Sequence, residues 1–250
     1  MAPDAAAPIL SLHDVVGGYG RMTILNGCSF DVARAAITTV IGPNGAGKST
    51  TFKAIFGLLP LRAGRILLDG EDVTGLSPLH LIARGLCYIP QGRNIFPELS
   101  VRENIELGGV ALGRAGAMRA RVEEALDRFP VLRQKAQAQA STLSGGQQKL
   151  LEISRGLIGR PRLMLIDEPS IGLSPLLVQE VFATLQRLRD GGMSVLMVEQ
   201  NARSALEISD RAIVLEGGRT RLVGAARDIL VDPRVARLFL GAEVELDETR

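Results

Sequence analysis

The chain has 250 residues, 46% of them hydrophobic and 22% charged, the balance of a globular α/β protein with one large core or two small lobes. A formal net charge of +2 leaves no basic footprint for DNA or RNA, so no nucleic-acid partner is expected. No apolar run approaches the ~20 residues of a spanning helix, and the opening MAPDAAAPIL has neither a basic n-region nor a long apolar stretch, so neither a membrane span nor a secretory leader is expected.

Any membrane role must then come through a partner. Cys28 and Cys87 lack metal-like spacing and read as buried core thiols of a reducing compartment. His13 and His80 are the only histidines and stand apart from every motif, which leaves histidine catalysis without support.

In chain order, Tyr19 stands in the run GGYG, and Ala36–Ile41 (AITTVI) forms a β-rich run that leads into Gly42–Thr50, GPNGAGKST. From about Gly92 to Ser141 the pattern is helical and predicts a small separate lobe between two halves of a sheet. Within it Met118, Val122, Ala125, Leu126 and Phe129 form a stripe that stops at Pro130, as core packing does. Leu143–Gln147 reads LSGGQ, a glycine turn opening a helix, and Leu163–Ile166 (LMLI) is a strand that ends in Asp167-Glu168. Ser174 and Pro175 pair as cap and first-turn residue of a helix lined by Val178, Val181, Leu185 and Leu188 and stopped at Gly191-Gly192. Ser194–Val198 (SVLMV) leads into Glu199-Gln200, and Ala212–Leu215, Gly217-Gly218 and Arg219–Val223 read as a hairpin. The acidic end, Glu243–Glu248, reads as a solvated tail. Apolar strands separated by helical segments predict a mainly parallel sheet with both faces covered.

The run Gly42–Thr50 has the chemistry of a phosphate cradle. Gly42, Gly45 and Gly47 let backbone N–H groups approach charged oxygens. Lys48 supplies a point charge, the Ser49 hydroxyl can coordinate Mg²⁺, and the following helix points its positive end at the ligand. Asp167, at the end of an apolar strand, would hold the metal through water. Its neighbour Glu168 can polarise an attacking water as a general base. The helix opened by LSGGQ offers a second place for a phosphate to dock. Two such places on one chain imply a ligand held between two copies or two similar subunits.

Together these residues resemble the ATP-binding subunit of ABC transporters, whose signature is LSGGQ ahead of an Asp-Glu strand; the similarity covers about residues 9–241. The resemblance implies an α/β P-loop NTPase (RecA-like) core with a mainly parallel sheet, a small antiparallel β part and an inserted α-helical part. Residues 1–250 would be a single ABC ATPase domain: 8–91 and 155–241 the core, 92–154 the helical signature part and 242–250 an acidic tail. It implies ATP and Mg²⁺, with Gly42, Pro43, Asn44, Gly45, Ala46, Gly47, Lys48, Ser49 and Thr50 binding the nucleotide and Tyr19 stacked on adenine. Ser49, Gln91 and Asp167 would serve the metal, and Glu168, Gln91 and Gln200 the hydrolysis. Ser144, Gly145, Gly146 and Gln147 would complete the ATP site of the opposite subunit. Ser170–Ser174 (SIGLS) takes the place of the turn that crosses the dimer seam, and Gly92–Ile105 resembles the surface that grips a helix of the membrane subunit. Ile95, Phe96 and Leu99 in that segment fit lobe core equally well.

Two positions depart from the family pattern. The usual histidine after Ser194–Val198 is Gln200, whose amide donates a hydrogen bond but has no proton to give. The seam turn ends in Ser174 where aspartate is usual. Both departures, with PQGR and the ending VARLFLG, resemble the smaller ATPase subunits of branched-chain amino-acid importers. Relatives importing urea or amides share these features, and ATPases that export lipopolysaccharide are similar too, including near Leu238–Gly241, but they usually keep the histidine. The resemblance implies a second ABC ATPase subunit, identical or different, integral membrane permease subunits, and an extracytoplasmic solute-binding protein reached indirectly. It places the chain peripherally on the cytoplasmic face of the inner membrane. A soluble ABC ATPase acting on DNA or ribosomes is disfavoured, because only about 100 residues separate cradle from signature, with no heptads and no CxxC pair. A small-molecule kinase would leave LSGGQ unexplained.

Overall fold

A computed structural model describes residues 7–110 and 115–235; the chain past Val235, with most of VARLFLG and the expected acidic tail, lies outside the described residues. Strands β1 (Leu10–Tyr19) and β2 (Met22–Val32) precede β3 (Ile37–Ile41) and helix α1 (Lys48–Ile55). Next come β4 (Leu61–Leu68), β5 (Glu71–Asp72), α2 (Pro78–Ala83) and β6 (Leu86–Ile89). A helical stretch holds α3 (Val101–Leu107), α4 (Ala115–Arg128), α5 (Pro130–Gln134) and α6 (Gly145–Leu157). The chain then alternates through β7 (Leu163–Asp167), α7 (Pro175–Asp190), β8 (Ser194–Val198), α8 (Ala202–Ile208), β9 (Arg211–Glu216), β10 (Arg219–Ala225) and α9 (Ala226–Leu230).

The strands form two sheets. One is antiparallel, in the order β2-β1-β4-β5; the other runs β10-β9-β3-β8-β7-β6. In the second sheet β9, β3, β8, β7 and β6 are parallel and only β10 is antiparallel. The sequence explains the difference in position. LMLID and SVLMV are buried at every residue, as central parallel strands must be, whereas β10 alternates exposed and half-buried residues, as an edge strand does.

The period of two sorts the strand side chains between two interiors. Leu163 and Leu165 of β7 and Leu196 and Val198 of β8 face α1 and the antiparallel sheet, packing with Phe52, Ile55 and Leu12. Met164, Ile166, Val195 and Met197 face the opposite way, onto α6, α7 and the helical stretch. Truncating one of these fully buried leucines to alanine costs about 2–5 kcal/mol. Val122, Leu126 and Phe129 share that second interior with Ile166, so the helical stretch is joined to the sheet by one continuous apolar core. Cys28 and Cys87 are both buried and unbridged; burial pushes the Cys87 thiol up to about 12.

Three local features differ from the sequence expectations. Pro130 ends α4 and also occupies the first turn of α5, with Phe129 at the cap. Ser174 occupies the cap position of α7, but its hydroxyl makes no cap hydrogen bond among the described residues; the helix starts through Pro175. Strands β1, β2, β4, β5 and β6 are not among the β-rich runs that the sequence predicts. β1 pairs through repeated register shifts around Asp14, whose φ is 48°, and β4 is mostly exposed, so neither shows clean alternation.

Candidate nucleotide site at the carboxyl edge of the parallel sheet

β3 lies between β8 and β9, so the chain leaves β3 toward one side of the sheet and later returns past it to the other. In such sheets the crevice beyond the strand carboxyl ends at this switch is where ligands bind. Four strand ends deliver the expected site residues there. β3 leads into the 42–50 loop, β6 into Gln91, β7 into Asp167-Glu168, and β8 into Glu199-Gln200.

The loop closes on α1 at Gly47, the N-cap, with φ 98°, a left-handed conformation that favours glycine. Lys48 is buried, and its ammonium donates to the carbonyls of Gly42 at 2.6 Å and Pro43 at 3.2 Å. Burial lowers the Lys48 pKa, against the opposing pull of the Glu168 and Asp167 charges. Asn44 and Gly45 form the exposed tip, Ala46 is buried, and Ser49 and Thr50 are half-buried in the first turn of α1. The Ser49 hydroxyl donates to Asp167 Oδ1 at 3.3 Å. Asp167 is itself buried, and burial raises its pKa, with Glu168 adding to the rise and Ser49 opposing it. Ser49, Asp167 and the Gln91 amide thus offer a hydroxyl, a carboxylate and an amide oxygen, hard donors that fit Mg²⁺. Among the described residues no cluster of three or more His, Cys, Asp or Glu could hold a metal, so oxygens of the nucleotide and water would supply the other ligands.

Glu168 has φ 48°, a strained value for a non-glycine residue, and its N–H donates to the Val198 carbonyl at 2.9 Å. The Gln91 amide Nε2 donates to Glu168 Oε2 at 2.8 Å. Glu168 and Gln200 line one hollow of about 270 Å³ together with Ser170, Ile171 and Glu199. Gln200 is exposed. Tyr19 lies at the end of β1, 48% exposed, with the Lys53 ammonium of α1 5.7 Å from its ring centre.

The LSGGQ residues form the start of α6. Ser144 is the N-cap, accepting from Gln147 N–H at 3.3 Å, while the Gln147 side chain accepts from Ser144 N–H at 3.2 Å, a reciprocal capping box. Ser144 is therefore an ordinary helix cap, yet its hydroxyl hydrogen stays available to a further acceptor. Gly145 and Gly146 pack against Leu173 and Leu177; a Cβ on Gly146 would come within 2.6 Å of Leu177. The 170–174 turn therefore touches the LSGGQ turn of its own chain.

Sequence reasoning missed Glu199. It is 1% exposed and accepts from Ser170 N–H and Oγ–H, both at 2.8 Å, and from Gln200 N–H at 3.2 Å. Burial raises its pKa despite these bonds. Glu199 ties the 170–174 turn to Gln200. The only signal was an acid directly after a buried strand, the same signal that marked Asp167. The 217–218 turn is more than a hairpin tip: Gly218 N–H donates to the Ala46 carbonyl at 3.0 Å and so braces the phosphate loop.

A phosphate loop at the switch point of a parallel sheet, with a buried strand-end aspartate beside its serine, defines an α/β P-loop NTPase. The ABC transporter family model matches residues 25–171. The chain is 37% identical to the high-affinity branched-chain amino acid transport ATP-binding protein BraG of Pseudomonas aeruginosa, over 93% of this chain and 100% of that protein. It is 37% identical to the probable branched-chain amino acid transport ATP-binding protein LivF of Archaeoglobus fulgidus, over 90% of this chain and 95% of that one. The lipopolysaccharide export ATP-binding protein LptB of Escherichia coli is 34% identical, over 95% of this chain and 99% of its own. Among solved structures, the ADP conformation of an ATP-binding cassette of an ABC transporter superposes with a TM-score of 0.85 at 29% identity, covering 95% of this chain and all of that one. The chain belongs to the ABC transporter family, as an ATP-binding subunit with ATPase activity.

Proposed function

We propose that this ATPase drives import of branched-chain amino acids, seated on the cytoplasmic side of permease subunits and paired with a second ABC ATPase subunit. The names of two relatives, each 37% identical over nearly their whole length, support the cargo class. Gln200 in place of the family's usual histidine also favours import over the export function of the LptB relative. No helix among the described residues is long and apolar enough to cross a membrane.

The observation that carries the hydrolytic role is the Gln91–Glu168 hydrogen bond of 2.8 Å beside Lys48, Ser49 and Asp167. ATP lies with its phosphates on the 42–50 backbone and the Lys48 ammonium, its adenine on Tyr19. Mg²⁺, when bound, neutralises charge that develops on the β- and γ-phosphates. Ser49, Asp167 and the Gln91 amide oxygen would hold it. Glu168 takes the proton of the attacking water, and the Gln91 amide fixes which way that carboxylate points. Gln200 positions the γ-phosphate by donating a hydrogen bond and transfers no proton. Ser144, Gly145 and the amino end of α6 close on the γ-phosphate of the opposite subunit's ATP. Catalysis is then positioning and charge stabilisation. ATP drives closure because it binds the closed pair more tightly than the open one, and loss of the γ-phosphate ends that preference.

The receiving surface for the permease is a groove of about 690 Å³ beside the Gln91 loop, lined by Ile95, Phe96, Leu107, Val110 and Arg155 among others. Phe96 is 50% exposed in it, with the Arg155 guanidinium 5.7 Å from its ring centre. Uptake of labelled leucine by cells depleted of the natural chain tests this assignment. Wild type should restore uptake and Lys48→Ala should not. Restoration by both, or by neither while lipid export recovers, would reject it.

A further inference from the structure

The Gln91 loop is fastened to α6 by a buried ion pair that none of the motifs accounts for. Glu152 is 2% exposed, and its Oε2 lies 2.6 Å from the Lys149 ammonium. Its Oε1 accepts the Asn94 N–H at 2.6 Å. Lys149 donates onward to the Gly92 carbonyl at 3.2 Å, and Arg155 donates to the Asn94 carbonyl. The Asn94 side chain donates to the Pro90 carbonyl at 3.0 Å. Residues 149, 152 and 155 recur every three positions, so they share one face of the helix. That face grips the backbone of the loop on the carboxyl side of Gln91, and Ser144 caps the amino end of the same helix.

Stability alone does not account for the pair. A buried ion pair is often matched or bettered by apolar residues of the same volume, and Leu150, Leu151 and Ile153 beside it on the same helix are buried apolar residues. What apolar residues could not supply is the set of directional bonds to the backbone at Gly92 and Asn94. The geometry points to Glu152 as a positioning residue for hydrolysis: with Lys149 it fixes the Gln91 loop to the signature helix, so the two move as one body. Gln91 serves the ATP held by its own chain, and Ser144 serves the ATP of the opposite subunit. Glu152 therefore lies on the rigid link between the two nucleotide sites. This rests on the roles proposed above for Gln91 and Ser144.

A double-mutant cycle between Glu152 and Gln91 in the full-length chain tests the link, with kcat and the ATP KM measured separately. A displacement of about 1 Å can cost ~10²-fold in rate. Glu152→Ala is thus expected to lower kcat about 10- to 100-fold while the ATP KM stays within about twofold. In a Gln91→Ala background the same change should lower kcat by less than about twofold, because the positioned group is gone. Glu152→Gln keeps the side-chain volume and an acceptor for Asn94, should retain more turnover than Glu152→Ala, and replaces it in the cycle if the alanine variant does not fold. Losses that multiply, or a kcat that Glu152→Ala leaves unchanged, overturn the proposal while leaving the ATPase roles intact. An unchanged kcat in Gln91→Ala alone would instead refute the role given to Gln91, and this link with it.

Discussion

Asp167 sits buried at the end of β7 with the Ser49 hydroxyl 3.3 Å away, and burial raises its pKa above the ordinary aspartate value. The folded chain therefore keeps this proton to higher pH than the unfolded chain. Below the unfolded pKa both states are protonated and the residue is neutral to stability. As pH rises through the folded pKa, the unfolded chain gains the advantage of ionising first, and stability falls. Asp167→Asn removes that loss. In thermal melts without nucleotide it should melt higher than wild type near neutral pH, with the difference shrinking toward about pH 4. An Asn variant that melts lower than wild type near neutrality would contradict the argument. Glu168→Gln keeps the hydrogen-bonding shape but loses the base, so it should bind ATP normally and hydrolyse it ~10²-fold or more slowly; undiminished turnover would remove Glu168 from the role. Lys48, Ser49, Asp167 and Glu168 were legible in the sequence because each stands inside a short run whose chemistry is self-explanatory. Glu199 and Glu152 were not. Their partners Ser170 and Asn94 lie 29 and 58 positions away, and only the fold brings those distances together.

The same limit holds for elements. The buried strands β7 and β8 announce themselves as unbroken apolar runs, and the β9–β10 hairpin by its paired glycines, whose φ values are 56° and 74°. The antiparallel sheet is implied by the family resemblance, but its strands are not legible in the residues themselves, because Asp14 and Gly27 take positive φ and break the alternation, while β6 is four residues of a pattern shared with helices. What the hairpin does was also invisible. Its tip donates from Gly218 to the Ala46 carbonyl at 3.0 Å, while Asn26 of β2 donates to Gly218 at 2.9 Å and, from its side chain, to Gly217 at 2.9 Å. The turn is thus a brace between the antiparallel sheet and the phosphate loop. A Cβ on Gly218 would lie 1.8 Å from the Ile24 carbonyl oxygen, so backbone must move. Gly218→Ala is expected to cost about 1–3 kcal/mol of stability and to weaken ATP binding at least as much as its effect on folding. Calorimetric melts and nucleotide titration check both; unchanged affinity would mean the loop holds its shape without the brace.

At the scale of the whole molecule, the proposed function gives one chain two halves of two different sites. The cradle, Gln91 and Glu168 gather at the carboxyl edge of the parallel sheet, while Ser144 and Gly145 begin α6 and stand against Leu173 of the seam turn. The α/β class and the presence of both halves could be read from the sequence. The resemblance also implies that they serve different ATP sites, but the packing of Gly145 and Gly146 against Leu173 and Leu177 could not be read, since it depends on where the helical stretch docks on the sheet. Shared possession of ATP by two subunits is the claim on which the transport cycle depends. Gly145→Asp is the cleanest probe of it. A carboxylate in the first turn of α6 suits the helix dipole, and its Cβ would meet only the end of the Leu173 side chain, at 3.2 Å, which can shift; the fold is expected to be retained, while the carboxylate repels a phosphate from across the seam. The decisive measurement is specific ATPase activity against chain concentration for wild type and this variant. The account predicts that wild-type activity rises with concentration as pairs form and that Gly145→Asp stays near background throughout. A strict monomer turning over ATP at a constant full rate, with Gly145→Asp equally active, would contradict it.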